Sequence, residues 1–158
     1  MPAWNTILWG QFGAAIDMLE NAMIACPDEL WSDPSKRPEW SEKGIVGFWY
    51  LAYHTLFFLD LQLSGSVEGF APPAPFNLDE LDPAGLLPER PYTKEDLGNY
   101  LQHCRRKGRE TIAGLEGDRA FAEEWLSSMR HVQHHTAQLN LLLRLNTGAA
   151  PRWVRRAE

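Results

Sequence analysis

The sequence predicts an all-α protein, a four-helix bundle with a long crossover between helices two and three. Three observations predict it. Four stretches repeat apolar residues at helical spacing. No run of alternating β-branched residues competes with them. The one long stretch without that periodicity, residues 65–92, can run the length of a bundle, so that helices two and three lie parallel. Residues 1–148 are expected to form a single domain, and 149–158 a short basic tail. A chain of 158 residues is long enough to bury a real core.

Helix one is expected over Trp4–Cys26, with Trp4, Ile7, Leu8, Phe12, Ala15, Leu19 and Met23 as its stripe and Pro27 as its stop. Residues 27–42 carry three prolines and many charges and read as a loop. Helix two is expected over Lys43–Ser64, capped by Ser41. At about 100° per residue, His54 shares a face with Gly47, Tyr50, Leu51, Phe58 and Leu61, the apolar face, and Asp60 points to the other side. Residues 65–92 hold six of the eleven prolines. Loops beyond about 12–15 residues commonly carry function or move. Asp79, Glu80 and Asp82 make this one acidic and are expected as solvated surface charge.

Helix three opens at Thr93–Lys94–Glu95–Asp96, a capping-box pattern with Asp in place of Glu. Leu97, Tyr100, Leu101, Cys104, Ile112 and Leu115 form its stripe, and Gly117 is its expected stop. Helix four is expected over Asp118–Asn146, ended by Gly148. It is the longest of the four and leaves room for a break between Phe121 and Glu124.

The net charge of −6 argues against a nucleic-acid partner, which calls for a basic face. No signal peptide, polybasic anchor or spanning segment is visible, so no membrane partner is expected and the cytoplasm is the expected compartment. Cys26 and Cys104 form no C-x-x-C pair and are expected as reduced thiols. The seven tryptophans are expected in the core. Arg152, Arg155 and Arg156 are expected on a solvated tail.

Histidines carry the chemistry. His131, His134 and His135 lie on helix four, and His54 on helix two; His103 falls outside this grouping. Gln138, Leu139, Leu142 and Leu145 lie close to the direction of His131, so His131 and His135, one turn and about 40° apart on the wheel, straddle the centre of the expected buried stripe, whereas His134 is displaced by about 60° to the margin. The pair His131/His135 is therefore the better placed to face inward, with His54 as a third ligand. Hydrogen-bonded core histidines are the alternative. Burying three imidazoles without partners costs several kcal/mol, and a shared metal removes part of that cost. A zinc-protease helix is excluded, because Val132 stands where that motif needs a glutamate. Three imidazoles suit zinc, nickel, copper or iron.

The run His131–Val132–Gln133–His134–His135–Thr136–Ala137–Gln138, the upstream His54 within Tyr50–Leu51–Ala52–Tyr53–His54, and the long crossover together resemble the DinB/YfiT-like family of metal-binding four-helix bundles. The likeness runs from the first helix to Gly148. Thr136–Ala137 departs from the Arg-Gly often found before the final Gln. The resemblance implies that His54, His131 and His135 ligate a divalent metal, commonly nickel or zinc. His134 and Gln138 are then accessory or packing residues behind the ligands. It also implies a homodimer.

The leading expectation is a metal-dependent enzyme, a hydrolase or thiol-dependent transferase acting on an unknown small-molecule substrate. Its three-histidine site keeps an open position for water or a low-molecular-weight thiol. Glu124 is weighed as a base against a solvated first-turn carboxylate, and the second reading is preferred. Two alternatives stand beside the enzyme: a metal-binding or stress-response bundle without turnover, and a helical interaction protein without metal.

Overall fold

The computed structural model describes residues 4–36, 47–85, 87–115 and 119–158, and for residues 36 and 119–122 the backbone alone. Among the described residues five α-helices follow in order: α1 (Trp4–Ala25), α2 (Asp28–Trp31), α3 (Phe48–Ser64), α4 (Lys94–Ala113) and α5 (Arg119–Thr147). There is no strand among the described residues. The protein is all-α, as its periodicity predicts. The four expected helices are α1, α3, α4 and α5. The single turn α2 and a 3₁₀ turn at Pro34–Lys36 punctuate the expected first loop.

Helix α1 packs against α4 and α5, and α3 packs against the same two. Each long helix thus has two helical neighbours, and the core fills the space they share. Phe12, Ile16 and Leu19 from α1 meet Leu56 and Leu59 from α3, Leu97 and Leu101 from α4, and Val132, Leu139 and Leu143 from α5. Trp31, Trp49 and Trp125 join this core, whereas Trp4 and Trp153 are exposed. Ile7, expected on the buried stripe of α1, is also exposed.

Several boundaries differ from the sequence reading. Helix α3 begins at Phe48 rather than Lys43, because Gly47 has φ 145°, a conformation that favours glycine and lies outside the helical region. The expected cap Ser41 lies outside the described residues, as does the expected stop Gly117. Helix α4 starts as predicted: Thr93 Oγ1 accepts from the Asp96 amide, and Asp96 Oδ2 accepts from the Thr93 amide, at 3.0 Å each. It ends earlier, at Gly114, whose amide reaches the Glu110 carbonyl. Helix α5 runs without interruption from Arg119, so the room for a break between Phe121 and Glu124 is not used. Gly148, at φ 78°, closes it by donating to the Arg144 carbonyl across 3.0 Å.

The tail is exposed along most of its length but anchored at its end. It turns back along α1, where the Ala157 amide donates to the Gly10 carbonyl at 2.9 Å and Trp9 Nε1 donates to the Glu158 carbonyl at 3.2 Å. Gly13 makes the approach feasible, since a Cβ there would sit 2.7 Å from the Ala157 Cβ. The backbone is docked while Arg152, Arg155 and Arg156 stay exposed.

The connection between α3 and α4 is pinned by aromatic rings. Phe70 meets Phe57 edge-on at 5.4 Å. Phe76 stacks on Tyr53 at 5.7 Å and on Tyr100 at 4.3 Å. This brings the 3₁₀ turn Asp79–Leu81 onto the outer side of α3. No helix among the described residues is long and apolar enough to cross a membrane.

Candidate metal centre

Helix α3 is apolar on nearly every side, since α4, α5 and the connection all cover it. Only Tyr50, His54, Phe58 and Leu61 among its inner turns remain half-buried. These residues recur at i, i+4, i+8 and i+11, so they share one face. The face assigned to His54 is thus the partly open one, not the most buried. The wheel has no contrast on a helix that is apolar all round.

Helix α5 needs the same correction. Its buried stripe runs Trp125–Ser128–Val132–Thr136–Leu139–Leu142–Leu143. At about 100° per residue its centre lies roughly 90° from His131. The histidines therefore do not straddle the centre of the stripe. They lie on its flank towards α3, half-buried, and Leu145, expected beside them, is 72% exposed. The cause is that α5 packs against both α1 and α3, so the stripe points between two neighbours and its edge faces one of them.

That flank brings together the three residues singled out. His54, His131 and His135 each offer one ring nitrogen, and these atoms lie within 4.8 Å of one another. The ring centroids are 5.6 Å apart for His54 and His131, 5.0 Å for His54 and His135, and 4.5 Å for His131 and His135. Phe58 lies against the group, 4.8 Å from the His54 ring. His134 is exposed at the margin, its ring 5.0 Å from that of His135. His103 is elsewhere, 3.2 Å from Asp60 on the far side of α3. Asp60 does point away from His54, but into a buried cluster: Tyr100 Oη and Lys107 Nζ donate to its carboxylate at 3.1 and 2.5 Å.

Hydrogen bonds fix which nitrogens are bare. His135 Nδ1 lies 2.7 Å from Gln138 Oε1, an acceptor, so Nδ1 carries the proton and Nε2 presents a lone pair. His54 Nδ1 lies 2.7 Å from Glu80 Oε2, which can only accept, so Nδ1 of His54 also carries a proton and Nε2 is the nitrogen it can offer a metal. His131 Nε2 is 3.0 Å from His135 Nε2, and His131 Nδ1 is buried without a partner. Burial, and then the neighbouring histidines, push the His131 pKa down to about 4. Burial also lowers His135 to about 4, against the opposing hydrogen bond from Gln138. Both rings are neutral at pH 7, the form that binds metals.

These features fit a divalent cation. Nitrogens bound tetrahedrally to one ion at about 2.0–2.1 Å lie about 3.4 Å apart, so side-chain shifts on the order of an ångström close the group. The partners on Nδ1 of His54 and His135 are of the kind that support ligating histidines. The orphaned His131 nitrogen shows that hydrogen bonding within the protein does not satisfy the cluster.

Glu80 was expected as solvated charge and is instead 4% exposed, joined to His54 and, through Oε1, to Tyr50 Oη at 2.5 Å. Nothing in the sequence separates it from Asp79 and Asp82, because its partner is 26 residues away in another element. Glu124 is exposed and makes no hydrogen bond or ion pair with any described residue. It lies two turns before His131, about 10 Å along the axis. It lines a cavity of about 610 Å³ with Gln62, Thr111, Trp125 and Ser128, none of them in the histidine group.

Compared with known proteins, the chain matches no family model, no curated protein and no solved structure.

Proposed function

We propose that the protein is a metal-dependent enzyme whose centre is built by His54, His131 and His135. In this reading α1, α3, α4 and α5 are a DinB-like four-helix bundle, and the α3–α4 connection is its long crossover. One observation carries the reading: three imidazoles from two helices present ring nitrogens within 4.8 Å of one another. Two of these rings have their other nitrogen occupied by an acceptor, and the third has it unpartnered.

Zinc and nickel are the preferred ions, because three imidazoles suit both. A divalent ion held by three protein ligands keeps one position open and there lowers the pKa of a water or a low-molecular-weight thiol. The chain's own contribution is geometric. Glu80 and Gln138 orient two rings, Phe58 shields one side, and His134 stands at the exposed rim. No carboxylate other than Glu80 makes a hydrogen bond or ion pair with His54, His131 or His135 among the described residues, and both Glu80 oxygens are engaged. A centre without a free base favours attack by a nucleophile already activated at the ion, as in thiol transfer. The same feature keeps a metal-binding protein without turnover as the second reading. A homodimer in the cytoplasm completes the proposal.

The test is metal analysis of protein purified without a histidine tag and then refilled with zinc or nickel. About one ion per chain is expected. Failure to take up either ion sinks both metal readings. A panel of thiol-transfer and ester-hydrolysis assays on the loaded protein then separates enzyme from binder.

A further inference from the structure

We propose that Glu80 is a positioning residue for the metal centre, and that through it metal binding and docking of the α3–α4 connection are coupled. The inference rests on the metal reading above and adds a residue from outside the two ligand helices.

The contact is specific. A carboxylate can only accept, so His54 must donate from Nδ1, and Nε2 is the nitrogen it has left to offer a metal. The other carboxylate oxygen accepts from Tyr50 Oη at 2.5 Å. Tyr50 and His54 are one helical turn apart, so Glu80 bridges two rungs of one helix face. The bridge restrains rotation of the His54 ring and increases the electron density at its bare nitrogen.

The placement of Glu80 depends on the connection, not on α3. It sits on the turn Asp79–Leu81, closed by amide bonds from Leu81 to Leu78 at 2.9 Å and from Asp82 to Asp79 at 3.0 Å. The Asp79 amide also donates to Asn77 Oδ1 at 3.1 Å. Nearby, Phe76 is held between Tyr53 and Tyr100. The connection therefore has an aromatic anchor independent of the carboxylate, and a conservative change at Glu80 leaves that anchor intact. A glutamate buried here is costly unless its oxygens are satisfied, and His54 and Tyr50 are the groups that satisfy them. Linkage then works both ways: whatever Glu80 adds to metal affinity, the metal adds to the docking of Glu80.

The experiment titrates zinc and nickel against a competing chelator for the natural protein, Glu80→Gln and Tyr50→Phe. Amide hydrogen exchange of residues 78–85 is followed with and without zinc. Glu80→Gln should weaken both metals about 10–100-fold, and Tyr50→Phe by less. Metal should slow exchange at Leu81 and Asp82 in the natural protein and have little effect in Glu80→Gln. Affinity of Glu80→Gln within twofold of the natural protein overturns the positioning role. Unchanged exchange in the natural protein on metal loading overturns the coupling and needs no variant to fold. If the natural protein binds neither metal, the metal reading fails and not merely the role of Glu80.

Discussion

His131 Nε2 and His135 Nε2 face each other across 3.0 Å, one helical turn apart on α5. Gln138 holds the far nitrogen of His135, so the lone pair of His135 points at His131. In the metal-free protein His131 must supply the proton between them, which leaves its own Nδ1 as a buried acceptor with nothing to accept.

Single replacements should separate ligands from neighbours. His54→Ala, His131→Ala and His135→Ala are each expected to abolish tight metal binding, whereas His134→Ala retains it, because His134 lies at the exposed margin. Metal content after refilling and dialysis, with helical content checked by circular dichroism, is the measurement. Loss of metal in His134→Ala with retention in His135→Ala overturns the assignment.

Gln138→Ala removes the acceptor on His135 Nδ1 and frees the ring to rotate. Metal affinity should fall about 10–100-fold while the helix persists. Gln138→Glu keeps an acceptor at the same place and should restore most of it. Competition titrations decide between these outcomes.

The metal-free protein should lose stability as pH falls from about 6.5 towards 4. His131 and His135 have pKa values near 4 when folded, against 6.5 as the ordinary value. Between those limits the unfolded chain binds more protons than the folded one, so stability rises with pH across the window and is full above it. His131→Ala with His135→Ala should flatten this part of a denaturation-versus-pH curve. An unchanged slope contradicts the assignment.

Asp60 is a buried carboxylate held by Tyr100, His103 and Lys107 on the far side of α3. Lys107→Met leaves that carboxylate without its cation, and should cost about 3 kcal/mol in chemical denaturation. Metal affinity should not move, since none of these residues touches the histidine group.

The docked tail offers a paired test. Gly13→Ala places a Cβ 2.7 Å from that of Ala157 and 3.1 Å from the Trp9 ring, and should cost about 1–3 kcal/mol. Ala157→Gly removes the first clash, so the double variant should recover much of the loss. Additive effects in thermal melts indicate that the tail does not dock on Gly13 in solution.

The helices were legible because each long one repeats apolar residues at a helical period, and the Thr93/Asp96 cap because it is local. The candidate ligands His54, His131 and His135 were legible for a similar reason: two share one helix and the third is the sole histidine of another. Phase was less so. On α3 apolar residues occupy every side, and on α5 the stripe faces two neighbours at once, so a wheel drawn for one neighbour misplaced Leu145 and set the histidines too deep.

By itself the sequence determined an all-α chain, its helix order and the three histidines worth watching. The helices follow from interactions within a few residues of one another, and the histidines from their spacing and phase on those helices. Tertiary structure alone decided that Glu80 leaves solvent to meet His54, that Asp60 gathers Tyr100, His103 and Lys107, and that the tail lies on Gly10 and Gly13. The partners in each case come from segments far apart in the chain. A charged or backbone group finds its partner only once packing has brought those segments together, and the desolvation that makes the contact matter does not exist before then.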